Sequence, residues 1–251
     1  MLEGNEEFPQ KRGLLVLYGE CFREGTQGVR IRDTEKSKNT QKVASLSHIM
    51  LCNHIETTYK INMDIIINTY ETKHKSLLDE WYNGKTLKII QNVQLIGIQR
   101  LVNNAVKEVN HDNYEFILFT RMDIAIKSPF LELFNPEWSK IYFFSQIWTK
   151  HGRYGFINLP ENINIPVTNP TIEYIPKNYF KVLNNIDVDH RSYYNYYRNF
   201  DLTRNDMDFM VDQYYDSDSY KDYNPYYYMV GREENKVHHD EGKLIDRSLF
   251  T

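Results

Sequence analysis

The chain is 251 residues long, with 41 % hydrophobic, 25 % charged and 14 % aromatic residues. That balance is enough for one domain with a substantial core and excludes a disordered, collagen-like or disulfide-stapled polypeptide. Thirty Lys and Arg against 34 Asp and Glu leave a net charge of −4, without the basic surplus that sequence-independent nucleic-acid binding needs.

In chain order, residues 1–12 read as a polar leader with no secretory signal character. Gly13–Tyr18 is an unbroken apolar run ending at Gly19, the pattern of a strand buried on both faces. A turn-prone loop, Gly19–Gly25, follows, and Thr26–Thr40 reads as exposed loop. Leu46, Ile49, Met50 and Ile55 predict a helix over 43–59. Met63–Tyr70 is a second buried strand, Leu77–Trp81 a short helix and Leu87–Ile90 a third strand. Ile98, Leu101, Val102, Ala105 and Val106 make one helical stripe. Tyr114–Thr120 and Lys140–Ser145 are the fourth and fifth strands.

Alternating strands and helices over 13–149 predict an α/β fold with a mostly parallel, Rossmann-like sheet, flanking helices and right-handed crossovers. Residues 150–251 are punctuated by Pro160, Pro166, Pro170 and Pro176. They read as an irregular lobe packed over one sheet edge, within the same domain. No run approaches the ~20 apolar residues of a membrane span. Two cysteines, Cys21 and Cys52, fit a reducing compartment, most simply a cytoplasm.

Open α/β sheets bind ligands beyond the carboxyl ends of their strands. Those positions hold Gly19, Glu20 and Arg23 after the first strand, Asn68, Thr69 and Glu71 after the second, and Thr120, Arg121 and Asp123 after the fourth. Gly19, Gly25 and Gly28 do not spell the dinucleotide fingerprint, and no P-loop occurs. Charges at the mouth of an apolar strand are costly unless they face a cleft or pair with each other, so a local ion pair is the competing reading of Arg121 and Asp123. Two acidic strings come later, Asp206-Met207-Asp208 and Asp216-Ser217-Asp218; Asp206 and Asp208 share a face only in a strand. His238-His239-Asp240 lies near the C-terminus. His48 and His54 read as structural. The tyrosines at 193, 194, 196, 197 and 226–228 suit either sugar stacking or core packing.

The run FILFTRMD, with Asp123 just past an apolar strand, resembles the nucleotide-sugar-dependent glycosyltransferases of the GT-A fold, whose central strand ends in an Asp-x-Asp-type motif. Here the pattern is Arg121-x-Asp123. With its AT-rich-codon composition the chain also resembles glycosylation enzymes of large DNA viruses, which would mean a host cytoplasm. The resemblance covers residues 13–145 and implies a UDP- or GDP-sugar donor. Gly19, Arg23, Thr69 and Arg121 would engage the nucleotide, and Asp123, with His239, would hold a Mn or Mg ion on the diphosphate. Arg121 in the place of the first Asp is expected to contact the diphosphate itself. Asp208 or Asp218 would serve as the catalytic carboxylate facing a glycan, protein or small-molecule acceptor. The other readings are a nucleotidyltransferase and a non-catalytic or virion-associated module with a degenerate site. A tyrosine-rich edge strand would suit a homodimer.

Overall fold

Leu14, Leu15, Val16 and Leu17 have no exposed surface. They form the middle of β1 (Arg12–Tyr18) and of a seven-stranded sheet. The computed structural model describes residues 10–24, 31–94, 98–148, 156–158, 164–166, 171–183, 196, 200–203, 205–216 and 226–230. After β1 come a small hairpin, β2 (Arg23–Glu24) with β3 (Ile31–Arg32), then α1 (Glu35–Tyr59), β4 (Asn62–Tyr70), α2 (Lys75–Trp81), β5 (Thr86–Asn92) and α3 (Ile98–Lys107). Next are β6 (Phe116–Arg121), β7 (Ile124–Ile126), α4 (Ser128–Leu133), β8 (Ile141–Trp148) and a ribbon of β9 (Phe156–Asn158) with β10 (Asn164–Pro166). The described elements end with β11 (Ile172–Pro176), β12 (Met207–Asp216) and β13 (Tyr227–Met229).

The sheet order is β12-β8-β11-β6-β1-β4-β5. Only β11 runs against its neighbours, β6 and β8; the other pairings are parallel. Chain direction reverses at β1: the chain builds outward through β4 and β5, then crosses back to place β6 on the other side. The tips of β1 and β6 therefore bound the switch point of the sheet. One face packs on α1 through Leu15, Leu17, Ile65, Ile67, Leu51 and Ile55. The opposite face packs on α3 through Leu14, Val16, Ile66, Leu101, Val102 and Ala105.

Two expectations are corrected. The exposed loop placed at 26–40 is interrupted by β3 and by the start of α1, eight residues earlier than the apolar spacing indicates. Thr34 caps the helix, its hydroxyl accepting from the Ser37 amide at 3.0 Å. The first turns turn Ser37, Gln41 and Ser45 inward, all buried, so hydrophobic periodicity is silent there. Likewise, residues beyond 150 do not merely cover a sheet edge. β11 inserts between β6 and β8, and β12 extends the far edge. Pro176 is tolerated because it is the last residue of its strand.

Candidate functional site

The β1–β6 ladder pairs Tyr18 with Arg121, and the β1–β4 ladder pairs Tyr18 with Asn68. Gly19, Thr69 and Arg121, three residues expected from sequence, therefore reach the same end of three adjacent strands. Gly19 has φ +107°, a conformation that favours glycine, and its amide donates to the Asn68 carbonyl at 3.2 Å. A Cβ built on Gly19 would meet no atom within 4 Å, so the β1 tip borders open space among the described residues.

Arg121 closes a two-pronged pair on Asp123: Nε donates to Oδ1 at 2.7 Å and Nη2 to Oδ2 at 2.5 Å. The Asp123 side chain keeps 7 % of its surface accessible, Arg121 22 %. Burial works against the Arg121 charge, but the carboxylate outweighs it and holds the guanidinium above its ordinary value, with Tyr18 and Tyr227 contributing. The main chain around the pair is pinned. The Met122 amide donates to the Tyr18 carbonyl at 2.8 Å, and the Val230 amide donates to the Asp123 carbonyl at 2.8 Å. β13 closes over the same place by pairing Met229 with Ile124.

Gln41 joins the two tips. Its Oε1 accepts from the Phe22 amide at 3.0 Å and its Nε2 donates to the Met122 carbonyl at 2.9 Å. Sequence reasoning missed it by assigning residue 40 to the end of a loop; the Thr34 cap was the available signal. Arg32 was missed as well. It pairs across the β2–β3 hairpin with Arg23, and its Nη2 donates to the Glu71 carbonyl at 2.6 Å. Its buried Nε finds no hydrogen-bond partner among the described residues. Arg23 is paired with Glu20 at 3.3 Å, both side chains largely buried.

Thr69 is at the expected level but sealed: it has no exposed surface and its hydroxyl donates to Cys21 Sγ at 3.1 Å. It supports the tip and presents nothing to a ligand. The Cys21 thiol is pushed up to about 11 by burial, so it is no nucleophile near neutral pH. His48 is structural as expected, fully buried with Nδ1 2.7 Å from the Tyr82 hydroxyl.

Asp208 is not brought to this site. Register places it beside Tyr142, hence level with Tyr174 and Leu118. That is three residues short of Arg121 and three strands aside, about 17 Å at ~3.3 Å per residue and ~4.8 Å per strand. It pairs instead with Lys140 at 3.1 Å, half exposed. Asp206 accepts from the Thr203 amide and hydroxyl and from the Tyr179 hydroxyl, which hold it below the usual carboxylate range. Asp218 and His239 lie outside the described residues, as do Tyr193, Tyr194 and Tyr197. Tyr196 and Tyr227 are buried core residues, which favours packing over sugar stacking for both.

The GT-A resemblance implies a divalent cation on the diphosphate, and the described residues do not fit one. On a diphosphate such a cation takes most of its oxygen ligands from phosphate and water and needs one or two free carboxylates from the protein. Asp123 offers a single carboxylate whose two oxygens already accept from a guanidinium, and no group of three His, Cys, Asp or Glu converges among the described residues. No described helix is long and apolar enough to cross a membrane.

No protein-family model matches the chain, and no curated protein sequence matches it. Solved structures do. One is 4-diphosphocytidyl-2C-methyl-D-erythritol synthase from Anaerococcus prevotii, with TM-score 0.50 and 11 % identity over 91 % of this chain and 96 % of that one. Another is a Bacillus anthracis protein assigned as a glucose-1-phosphate thymidylyltransferase, with TM-score 0.50 and 12 % identity over 92 % and 96 %. A third is a glycosyltransferase involved in glycosylation of the major capsid of PBCV-1, with TM-score 0.36 and 10 % identity over 82 % of each chain. The fold is GT-A-like. At such identities the likeness speaks of fold alone, and the first two structures carry it.

Proposed function

We propose that the chain is a glycosyltransferase that takes its sugar from a nucleotide-sugar donor, with the diphosphate seated against Arg121. The observation that carries this reading is a guanidinium held in a fixed orientation at the switch point of a GT-A-like sheet, beside the open space at Gly19. A fixed planar fork with part of its surface in water is suited to two phosphate oxygens. Arg32, across one hairpin from the Glu20-paired Arg23, adds positive charge beside the β1 tip.

In the transfer, an acceptor hydroxyl oxygen bonds to the anomeric carbon as the bond from that carbon to the phosphate oxygen breaks. The hydroxyl proton leaves to a base, and the nucleoside diphosphate departs carrying the electron pair. Arg121 would stabilise the charge that grows on the departing oxygen, the interaction that counts most in the transition state. Asp208 is withdrawn as the base on grounds of distance; Asp218 stays a candidate.

A nucleotidyltransferase is the second reading, favoured by the two structures that share more than nine-tenths of the chain at TM-score 0.50. One experiment separates them. Purified full-length chain is given UDP- and GDP-sugars with released nucleoside diphosphate measured, and separately UTP, GTP, CTP or TTP with a sugar 1-phosphate and released pyrophosphate measured. Nucleoside diphosphate release, lost in Arg121→Gln, supports the glycosyltransferase. Pyrophosphate release with no turnover of any sugar nucleotide rejects it.

A further inference from the structure

We infer that Asp123 is a positioning residue for Arg121 and not a metal ligand, and that this site takes its diphosphate through the guanidinium without a divalent cation. The inference rests on the nucleotide-sugar reading and deepens it.

Three features of the strand tip point this way. Both Asp123 oxygens accept from one guanidinium in a two-pronged pair, so each already spends a lone pair on Arg121. A cation bound at that carboxylate would stand within a few ångströms of a fixed positive charge, with the carboxylate shared between them. The backbone on either side is anchored through the Met122 amide, the Met122 carbonyl and the Asp123 carbonyl, to Tyr18, Gln41 and Val230 respectively. The anchored main chain fixes where the Asp123 side chain starts, and its two hydrogen bonds from Arg121 hold the carboxylate in place. Finally, accessibility is divided unequally: a ligand arriving at the tip meets Arg121, which keeps 22 % of its side-chain surface, before Asp123, which keeps 7 %. The arginine is where the cation's charge would be needed. Asp123 fixes its plane and balances its charge while the site is empty.

The test is calorimetric titration of the full chain with UDP, GDP, CDP and TDP, once in 1 mM EDTA and once in 1 mM MnCl2. The expected result is that the nucleotide that binds does so with Kd values within threefold of each other in the two buffers. Arg121→Gln should weaken it at least tenfold in both. Asp123→Asn, which keeps an acceptor but loses the charge, should weaken it by one common factor in both buffers, because it loosens Arg121 and removes no metal. A wild-type Kd that improves more than threefold with Mn2+ overturns the inference while leaving the donor reading in place. Binding of none of the four nucleotides in either buffer overturns the donor reading, and this inference with it. The wild-type comparison decides even if neither variant folds.

Discussion

The two ends of the sheet carry similar residues to opposite effect. Where the parallel strands begin, ion pairs stand nearer the water: Lys177 with Glu115 is about half exposed, and Arg12 reaches out of the surface to a more buried Asp64. Lys177 and Glu115 line an open cavity of about 480 Å³, walled also by Tyr59, Trp138, Tyr174 and Glu137. Where the strands end, Arg121 with Asp123 and Glu20 with Arg23 are drawn into the protein, and Gln41 and Thr69 hold the tips together. Burying charge is costly unless geometry and hydrogen bonds offset it, whereas exposed pairs contribute little. The cavity directs attention to the strand beginnings; the expensive arrangement of charge directs it to the tips.

Breaking the tip should cost most. Asp123→Ala strands a buried guanidinium and should lower stability by about 3 kcal/mol, the low end for a broken buried pair because Arg121 keeps some water contact; urea unfolding measures it. The next effect is pH dependence. Burial lowers the His48 pKa to about 4, against about 6.5 in the unfolded chain. The unfolded chain then binds the extra proton, so this contribution is complete above pH 6.5 and is lost as pH falls toward 4. It amounts to roughly 3 kcal/mol, and His48→Leu should flatten that part of the pH–stability curve. At the strand beginnings, Gly13→Ala puts a Cβ 2.5 Å from Phe116 Cζ and 2.6 Å from Met63 Sδ. Overpacking of this kind should cost about 1–3 kcal/mol, read as a lower urea midpoint. Tyr174→Phe removes a 2.7 Å hydrogen bond to the Pro136 carbonyl on the cavity wall and should cost about 1 kcal/mol. Glu115→Gln, at the exposed pair with Lys177, should stay within about 0.5 kcal/mol of wild type in the same measurement. A value near that for Asp123→Ala would erase the contrast between the two ends.

Much of this was legible because strands buried on both faces leave unbroken apolar runs: β1, β4, β6 and β8 are found within a few residues of where the runs predict them. The first turns of α1 were hidden by their buried serines and Gln41. β11 was hidden because Glu173 sits at the second of its five positions. That carboxylate is buried and accepts from the Tyr196 hydroxyl at 2.5 Å, a partner more than twenty residues away. At the site, the positions of Gly19, Arg121 and Asp123 followed from strand ends alone. What Asp123 does could not follow from spacing: one residue between it and Arg121 suits a cation ligand or an ion pair equally, and only side-chain direction distinguishes them. Asp208 failed for a related reason, since an acidic string carries no information on which of seven strands it joins.

The rib that β13 lays along β7 links residues about a hundred positions apart. During synthesis, β1, β4, β5 and β6 can assemble as soon as they emerge, whereas the wall beside Asp123 waits for Tyr227–Met229. A nascent chain paused before that point would carry every strand of its seven-stranded sheet and still an unfinished strand tip, so competence at this tip would come after the sheet itself.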